Sequence, residues 1–141
     1  MKGARMIKPI VTSSIMLRLP SDEATPEDIP AAQDLLETFE AHRHECVGMA
    51  ANMIGVRKRI IVFQDGPHVR LMFNPEIIKG TGEYRTKEGC LSLTGQRDAM
   101  RWRKIKVTYQ DEEFNLKTKT FTGDAAQVIQ HEVDHCNGIV I

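Results

Sequence analysis

The spacing of apolar residues changes along the chain, and each change marks an element. From Pro20 to Pro30 the sequence is polar and carries three prolines, which reads as a surface connection leading into a helix. Ile29, Ala32, Leu35, Leu36 and Phe39 then recur at helical spacing, with Gln33, Glu37 and Glu40 turned outward. Thr25 or Asp28 can cap this helix, Pro30 sits more easily after Asp28, and the pattern predicts an end near His44. In the middle of the chain Ile60-Ile61-Val62-Phe63 and Val69-Arg70-Leu71-Met72-Phe73 are short β-rich runs, and Asp65-Gly66-Pro67 between them predicts a hairpin. Ile105, Val107 and Tyr109 alternate with Lys104, Lys106 and Thr108, the pattern of a half-buried strand, and a second alternating stretch runs from Asn115 to Thr122. Gly123-Asp124 offers a helix start, Ala125 to Cys136 reads as helical, and Asn137-Gly138 supplies the stop. Strands in the middle with a helix on either side give an α+β class, a small fold of strands packed around the C-terminal helix with a helix near the N-terminus.

Composition narrows the possibilities. A chain of 141 residues, 41% hydrophobic and 27% charged, is expected to form one domain over 1–141. Lys plus Arg and Asp plus Glu are each 19, so no net field gathers nucleic acid or an anionic membrane. The basic opening over 1–5 is followed by neither a long apolar run nor a small-residue cleavage site, and the three cysteines are widely spaced. A cytoplasmic location with reduced thiols is the expectation, and a special cysteine is then a ligand or nucleophile before it is a disulfide.

The chemistry concentrates in the last helix, at His131-Glu132-Val133-Asp134-His135. Residues four apart share a helix face, so two imidazoles can bind one metal ion while the adjacent carboxylate accepts a proton from water on that ion. A catalytic site of this kind needs a third protein ligand. Only six residues follow His135, so the ligand must come from upstream, where Cys90, Cys46, His42, His44, His68 and Glu88 are candidates. Cys90 stands out because it lies in Glu88-Gly89-Cys90-Leu91-Ser92, where a glycine permits close backbone approach and a thiolate suits a divalent transition metal. The competing reading of Cys90 is a buried, inert thiol. Cys136 points about 100° around the helix from His135 and reads as a packed residue, and His42-Arg43-His44 reads as a solvated helix end.

Three stretches, in order, resemble the motifs of the peptide deformylases. Gly48-Met49-Ala50-Ala51-Asn52-Met53-Ile54-Gly55 is similar to G-[LI]-A-A-x-Q-[IV]-G, Glu88-Gly89-Cys90-Leu91-Ser92 matches E-G-C-L-S, and Gln130-His131-Glu132-Val133-Asp134-His135 with Gly138 matches Q-H-E-x-D-H-x-x-G. The resemblance implies one divalent ion on Cys90, His131 and His135, commonly Fe²⁺, with Zn²⁺, Ni²⁺ or Co²⁺ also accepted. It implies that Glu132 is the general base and acid, that the Leu91 N–H holds the oxyanion, and that Gln130 and Asp134 support the ligands. Gly48 and Gly89 would bind an extended N-formylmethionyl peptide through their backbone, and Glu88 with Arg97 would form a structural ion pair. The implied partners are that peptide and the ribosome during translation, with no specific nucleic acid and no membrane.

The departures from the pattern are equally definite. Met53 stands where the family has a glutamine whose amide donates to the reacting carbonyl, and a thioether has no donor. Asn52 is the candidate substitute donor. Cys46 occupies a usual glycine position and Thr94 a usual proline position. The expected activity is therefore deformylation, reduced by the loss of a donor. The alternatives are a deformylase-like metalloprotein with weak or no turnover or a different amide substrate, and a structural zinc protein closed by a fourth ligand.

Overall fold

The computed structural model describes residues 6–140, so the basic opening over 1–5 lies outside the described residues. A single turn, α1 (Ser14–Leu17), precedes the helix α2 (Ile29–Ala41). Its entry differs from expectation. Thr25 caps a short turn over Pro26–Asp28, and the Asp28 carboxylate turns back to accept from the Thr25 N–H at 2.8 Å, so Asp28 makes no side-chain cap for α2 itself. The helix stops at Ala41, short of His44. Ala32, Leu35 and Phe39 are buried as the periodicity requires, but Ile29 is exposed and Glu37, expected outside, is buried. The N-terminal segment runs over that face: the Met6 N–H donates to Glu37 Oε2 at 3.2 Å and the Lys8 N–H to Thr38 Oγ1 at 2.9 Å.

Five strands form one antiparallel sheet in chain order: β1 (Gly48–Ala50), β2 (Ile60–Asp65), β3 (His68–Gly89), β4 (Gln96–Gln110) and β5 (Leu116–Thr122). The hairpin at Asp65-Gly66-Pro67 joins β2 to β3, with Asp65 opposite His68. The expected strand ending at Phe73 continues to Gly89 through register shifts between Phe73 and Glu76 and between Ile77 and Lys79. Its outer half pairs with β4 out to Gly89 opposite Gln96, and this pairing delivers Cys90 to its place.

The helix α3 (Gly123–Cys136) closes the fold. The two faces of β2 explain why its apolar run is unbroken. Ile60 and Val62 pack with Leu35 and Phe39 of α2, while Ile61 and Phe63 pack with Met72, Ile105, Val107, Phe121 and, from α3, Ala126, Ile129 and Val133. Burying a large aliphatic or aromatic side chain is worth about 1.5–3 kcal/mol, so this two-sided packing fixes α3 against the sheet. Beyond α3, Gly138 takes φ +75°, and the Gly138 and Ile139 N–H groups donate back to His135 O and Asp134 O at 3.0 and 2.8 Å. A Cβ on Gly138 would meet the Arg18 carbonyl oxygen at 2.5 Å. Gly138→Ala should therefore cost more than the ~1–2 kcal/mol of a left-handed alanine alone, measured by urea unfolding; a smaller loss would mean that this helix end relaxes freely.

Candidate metal centre

The fold brings the end of β3 to the cleft-facing side of α3. Cys90 follows Gly89, the last residue of β3, while His131 and His135 lie one turn apart on α3. The ligand atoms of Cys90, His131 and His135 all lie within 4.8 Å of one another. Cys90 Sγ is 3.4 Å from His135 Nε2, and the two histidine Nε2 atoms are 3.2 Å apart. Three electron-pair donors packed this closely must share protons or a cation. Burial pushes the Cys90 thiol up, but hydrogen bonds from His131 and His135 outweigh it and bring it down to about 5. Burial pulls His131 down, but Cys90 and Glu88 outweigh that and raise it to about 10. A thiolate beside two imidazoles is a donor set that fits a divalent transition metal. Among the described residues no fourth His, Cys, Asp or Glu joins the three, which leaves one side open and sets this centre apart from a closed structural site.

Glu132 lies beside the ligands, is 3% exposed, and its Oε1 has no hydrogen-bond partner among the described residues. Burial raises its pKa, against the opposing pull of His131 and His135. Gly48 of β1 passes so close that a Cβ there would lie 2.6 Å from Val128 Cγ2 and 3.0 Å from Glu132 Oε2. Only glycine allows the β1 backbone to lie against this part of α3. Gly48, Met53, Gly89, Leu91, His131 and Glu132 all line one cleft of about 1170 Å³.

Behind the ligands lies a buried polar chain. His131 Nδ1 is 2.9 Å from Glu88 Oε1, and since an ionised carboxylate only accepts, Nδ1 donates and Nε2 faces the centre. Burial raises the Glu88 carboxyl, but hydrogen bonds from His131, Arg101 and Gln127 overcome this and hold it near 2. Arg101 reaches Glu88 Oε1 at 2.6 Å through Nη2 and Asp134 Oδ2 at 2.8 Å through Nη1. The ion-pair partner of Glu88 is thus Arg101 and not the expected Arg97. Arg97 stands opposite Glu88 in the strand register, but it donates to the Thr94 carbonyl at 3.2 Å, whereas the nearly buried Glu88 carboxylate needs a buried cation.

The remaining expected residues fall in two groups. Asp134 reaches the ligands through Arg101 and Glu88. Gln130 instead ties α3 to β4: its Nε2 donates to Trp102 O and Ala126 O, both at 2.9 Å, and its Oε1 accepts from the Trp102 N–H at 2.8 Å. Met53 Sδ turns back to the Ala50 N–H at 3.5 Å. Asn52 is not a substitute donor toward the cleft, because its Nδ2 donates to the His135 carbonyl at 2.9 Å and anchors the last turn of α3. Cys46 and Cys136 are both pushed up to about 12 by burial and remain thiols. His42 is taken up by Glu45 at 2.6 Å. Sequence reasoning missed Gln127, and it missed Glu88 as the acceptor for His131. The available signal was spacing, since Glu88 lies two residues before Cys90 and Gln127 and His131 share a helix face.

Comparison with known proteins agrees with this geometry. The polypeptide deformylase family model matches residues 7–141. The chain belongs to the polypeptide deformylase family. It is 50% identical over 136 residues to a peptide deformylase of Clostridium beijerinckii, covering 96% of this chain and 100% of that one. It is also similar to the solved Legionella pneumophila peptide deformylase, with a TM-score of 0.85 at 32% identity, covering 95% of this chain and 83% of that one. A class I type b peptide deformylase from Acinetobacter baumannii, solved with Met-Ala-Ser bound, superposes with a TM-score of 0.84 at 26% identity, covering 95% and 96% of the two chains. The α+β fold expected from the sequence, strands with a helix on either side, is the deformylase fold, and its strands form one antiparallel sheet. Among the described residues no helix is long and apolar enough to cross a membrane.

The Arg101 guanidinium, 5% exposed in its side chain, neutralises two carboxylates. Arg101→Met should destabilise the protein by about 3–5 kcal/mol, because it leaves Glu88 and Asp134 uncompensated. Urea unfolding checks this, and a loss below about 1 kcal/mol would mean that the pair relaxes into water.

Proposed function

We propose that this protein removes the formyl group from N-formylmethionyl peptides, releasing formate and a free amino terminus, with one divalent ion, Fe²⁺, on Cys90, His131 and His135. The observation that supports this reading most is the convergence of those three donors within 4.8 Å beside the unpartnered, buried Glu132 Oε1 at the floor of a cleft. Zn²⁺, Ni²⁺ or Co²⁺ would suit the same donors. Bound there, the ion would supply a Lewis acid to the carbonyl and lower the pKa of an attacking water.

The protein's own groups do the rest. Glu132 takes the proton from the attacking water, and its burial raises its affinity for that proton. As the water oxygen bonds to the formyl carbon and the C–N bond breaks, the same carboxyl returns the proton to the leaving amine. The Leu91 N–H, next to Cys90, stabilises the developing oxyanion. The edge strand β1 at Gly48 and the segment at Gly89 offer backbone groups to an extended peptide. Nascent chains leaving the ribosome in the cytoplasm are the substrates that suit this reaction.

A second reading, in which the centre binds metal without deformylating at a useful rate, is favoured by one observation. Met53 lines the cleft and offers no N–H to the reacting carbonyl. An assay separates the two. Protein loaded with Fe²⁺ without oxygen should release formate slowly from formyl-Met-Ala-Ser. Met53→Gln, a change of similar length and flexibility, should raise kcat by up to about 10²–10³, with KM moving less. Metal-loaded protein that releases no formate in either form would favour the second reading.

A further inference from the structure

On α3 the residues lining the cleft recur at helical spacing: Asp124, Gln127, Val128, His131 and Glu132. Gln127 is half-buried one turn before His131, and no part of the mechanism above uses it. Its side chain is nevertheless committed at both ends. Nε2 donates to Glu88 Oε2 at 2.8 Å, and Oε1 accepts from the Tyr84 hydroxyl at 3.3 Å. Tyr84 is held in turn, since it stands opposite Arg101 in the sheet and the Arg103 guanidinium lies 4.7 Å over its ring.

We infer that Gln127, backed by Tyr84, is a positioning residue for the metal centre, fixing the rotation of the Glu88 carboxylate so that Oε1 meets His131 Nδ1. The two oxygens of Glu88 share Arg101, whose Nε reaches both, and differ in their other partner. Oε1 takes Arg101 Nη2 at 2.6 Å and His131 Nδ1 at 2.9 Å, whereas Oε2 has Arg101 Nε at 3.0 Å and Gln127 at 2.8 Å. Arg101 grips the carboxylate from the interior. Gln127 grips it from the cleft, where water would otherwise reach Oε2 and compete. One carboxylate on β3 therefore bridges two successive turns of α3, at positions 127 and 131, and the helix is pinned to the strand at the height of the ligand. Removing a ligand's own hydrogen-bond partner, the place Glu88 holds, typically costs about 10–100-fold in metal affinity, and Gln127 acts one step further out.

The proposal rests on the reading of Cys90, His131 and His135 as a metal centre, and the test separates the two. Gln127→Met keeps the length and volume of the side chain and deletes only its polar atoms. Co²⁺ affinity, measured by chelator competition on the full chain, should fall by up to about tenfold. The visible absorption bands of the bound Co²⁺ should shift, while thermal unfolding of the metal-free protein drops only as far as the loss of one hydrogen bond to Glu88 requires. Tyr84→Phe should give a smaller loss of affinity in the same direction. Parent affinity and spectrum retained in Gln127→Met would overturn the assignment. So would a lowered metal-free unfolding temperature with unchanged affinity, which would make Gln127 a packing residue. A parent protein that binds no Co²⁺ would overturn the metal-centre reading itself, and the positioning role with it.

Discussion

The Glu88 carboxylate, bonded at once to His131, Arg101 and Gln127, is the interaction on which the rest of the structure depends. A carboxylate 8% exposed is costly unless it is ionised and surrounded by donors, and here three side chains from two elements meet that requirement. Each donor acquires a constraint in return. His131 must hold its proton on Nδ1, which turns Nε2 toward Cys90 and His135. Arg101 must stay buried, which draws in Asp134. Because Glu88 is the penultimate residue of β3 and Cys90 follows two residues later, the same bonds that orient one ligand also place another. The pairing of β3 with β4 is what carries this segment across to α3.

The substrate side depends on a different constraint, the close approach of β1 to α3. Gly48 lies against Val128 and Glu132 at distances that any side chain would violate, so the edge of the sheet and the buried Glu132 carboxylate share one wall of the cleft. Asn52 reinforces the arrangement by holding the His135 carbonyl. Its donor therefore serves the end of the helix and not the reacting carbonyl, while the neighbouring Met53 brings a thioether to the cleft. The three donors that could hold an ion, Cys90, His131 and His135, are all present and converge. On the proposed reading, the oxyanion side has one donor fewer, because Met53 offers no N–H.

What the sequence revealed follows from where the signal is local. The two histidines and Glu132 are fixed by helical spacing within one element, and α3 is delimited by Gly123 and by Asn137-Gly138. β2 and its hairpin were legible because burial on both faces gives an unbroken apolar run. The outer halves of β3 and β4 were not. They are largely exposed, include Gly80 and Gly82, and are held by pairing with each other, which leaves no apolar alternation to read. Glu37 is buried by a segment distant in sequence that crosses α2. The ion pair implied by the resemblance named Arg97, and burial decided for Arg101 instead. Cys90 stood out among six upstream candidates by its setting beside Gly89, and the motifs that resemble the deformylases imply the same residue.

The proposed centre has one thiolate and two imidazoles as ligands and an open side. X-ray absorption at the zinc edge of the Zn²⁺-loaded protein reads this arrangement. One sulfur at about 2.3 Å, two imidazole nitrogens at about 2.0–2.1 Å and a light-atom ligand that exchanges with solvent are expected. Two sulfurs would mean that Cys46 is recruited to the ion, and no sulfur or four protein ligands would equally contradict an open three-ligand centre.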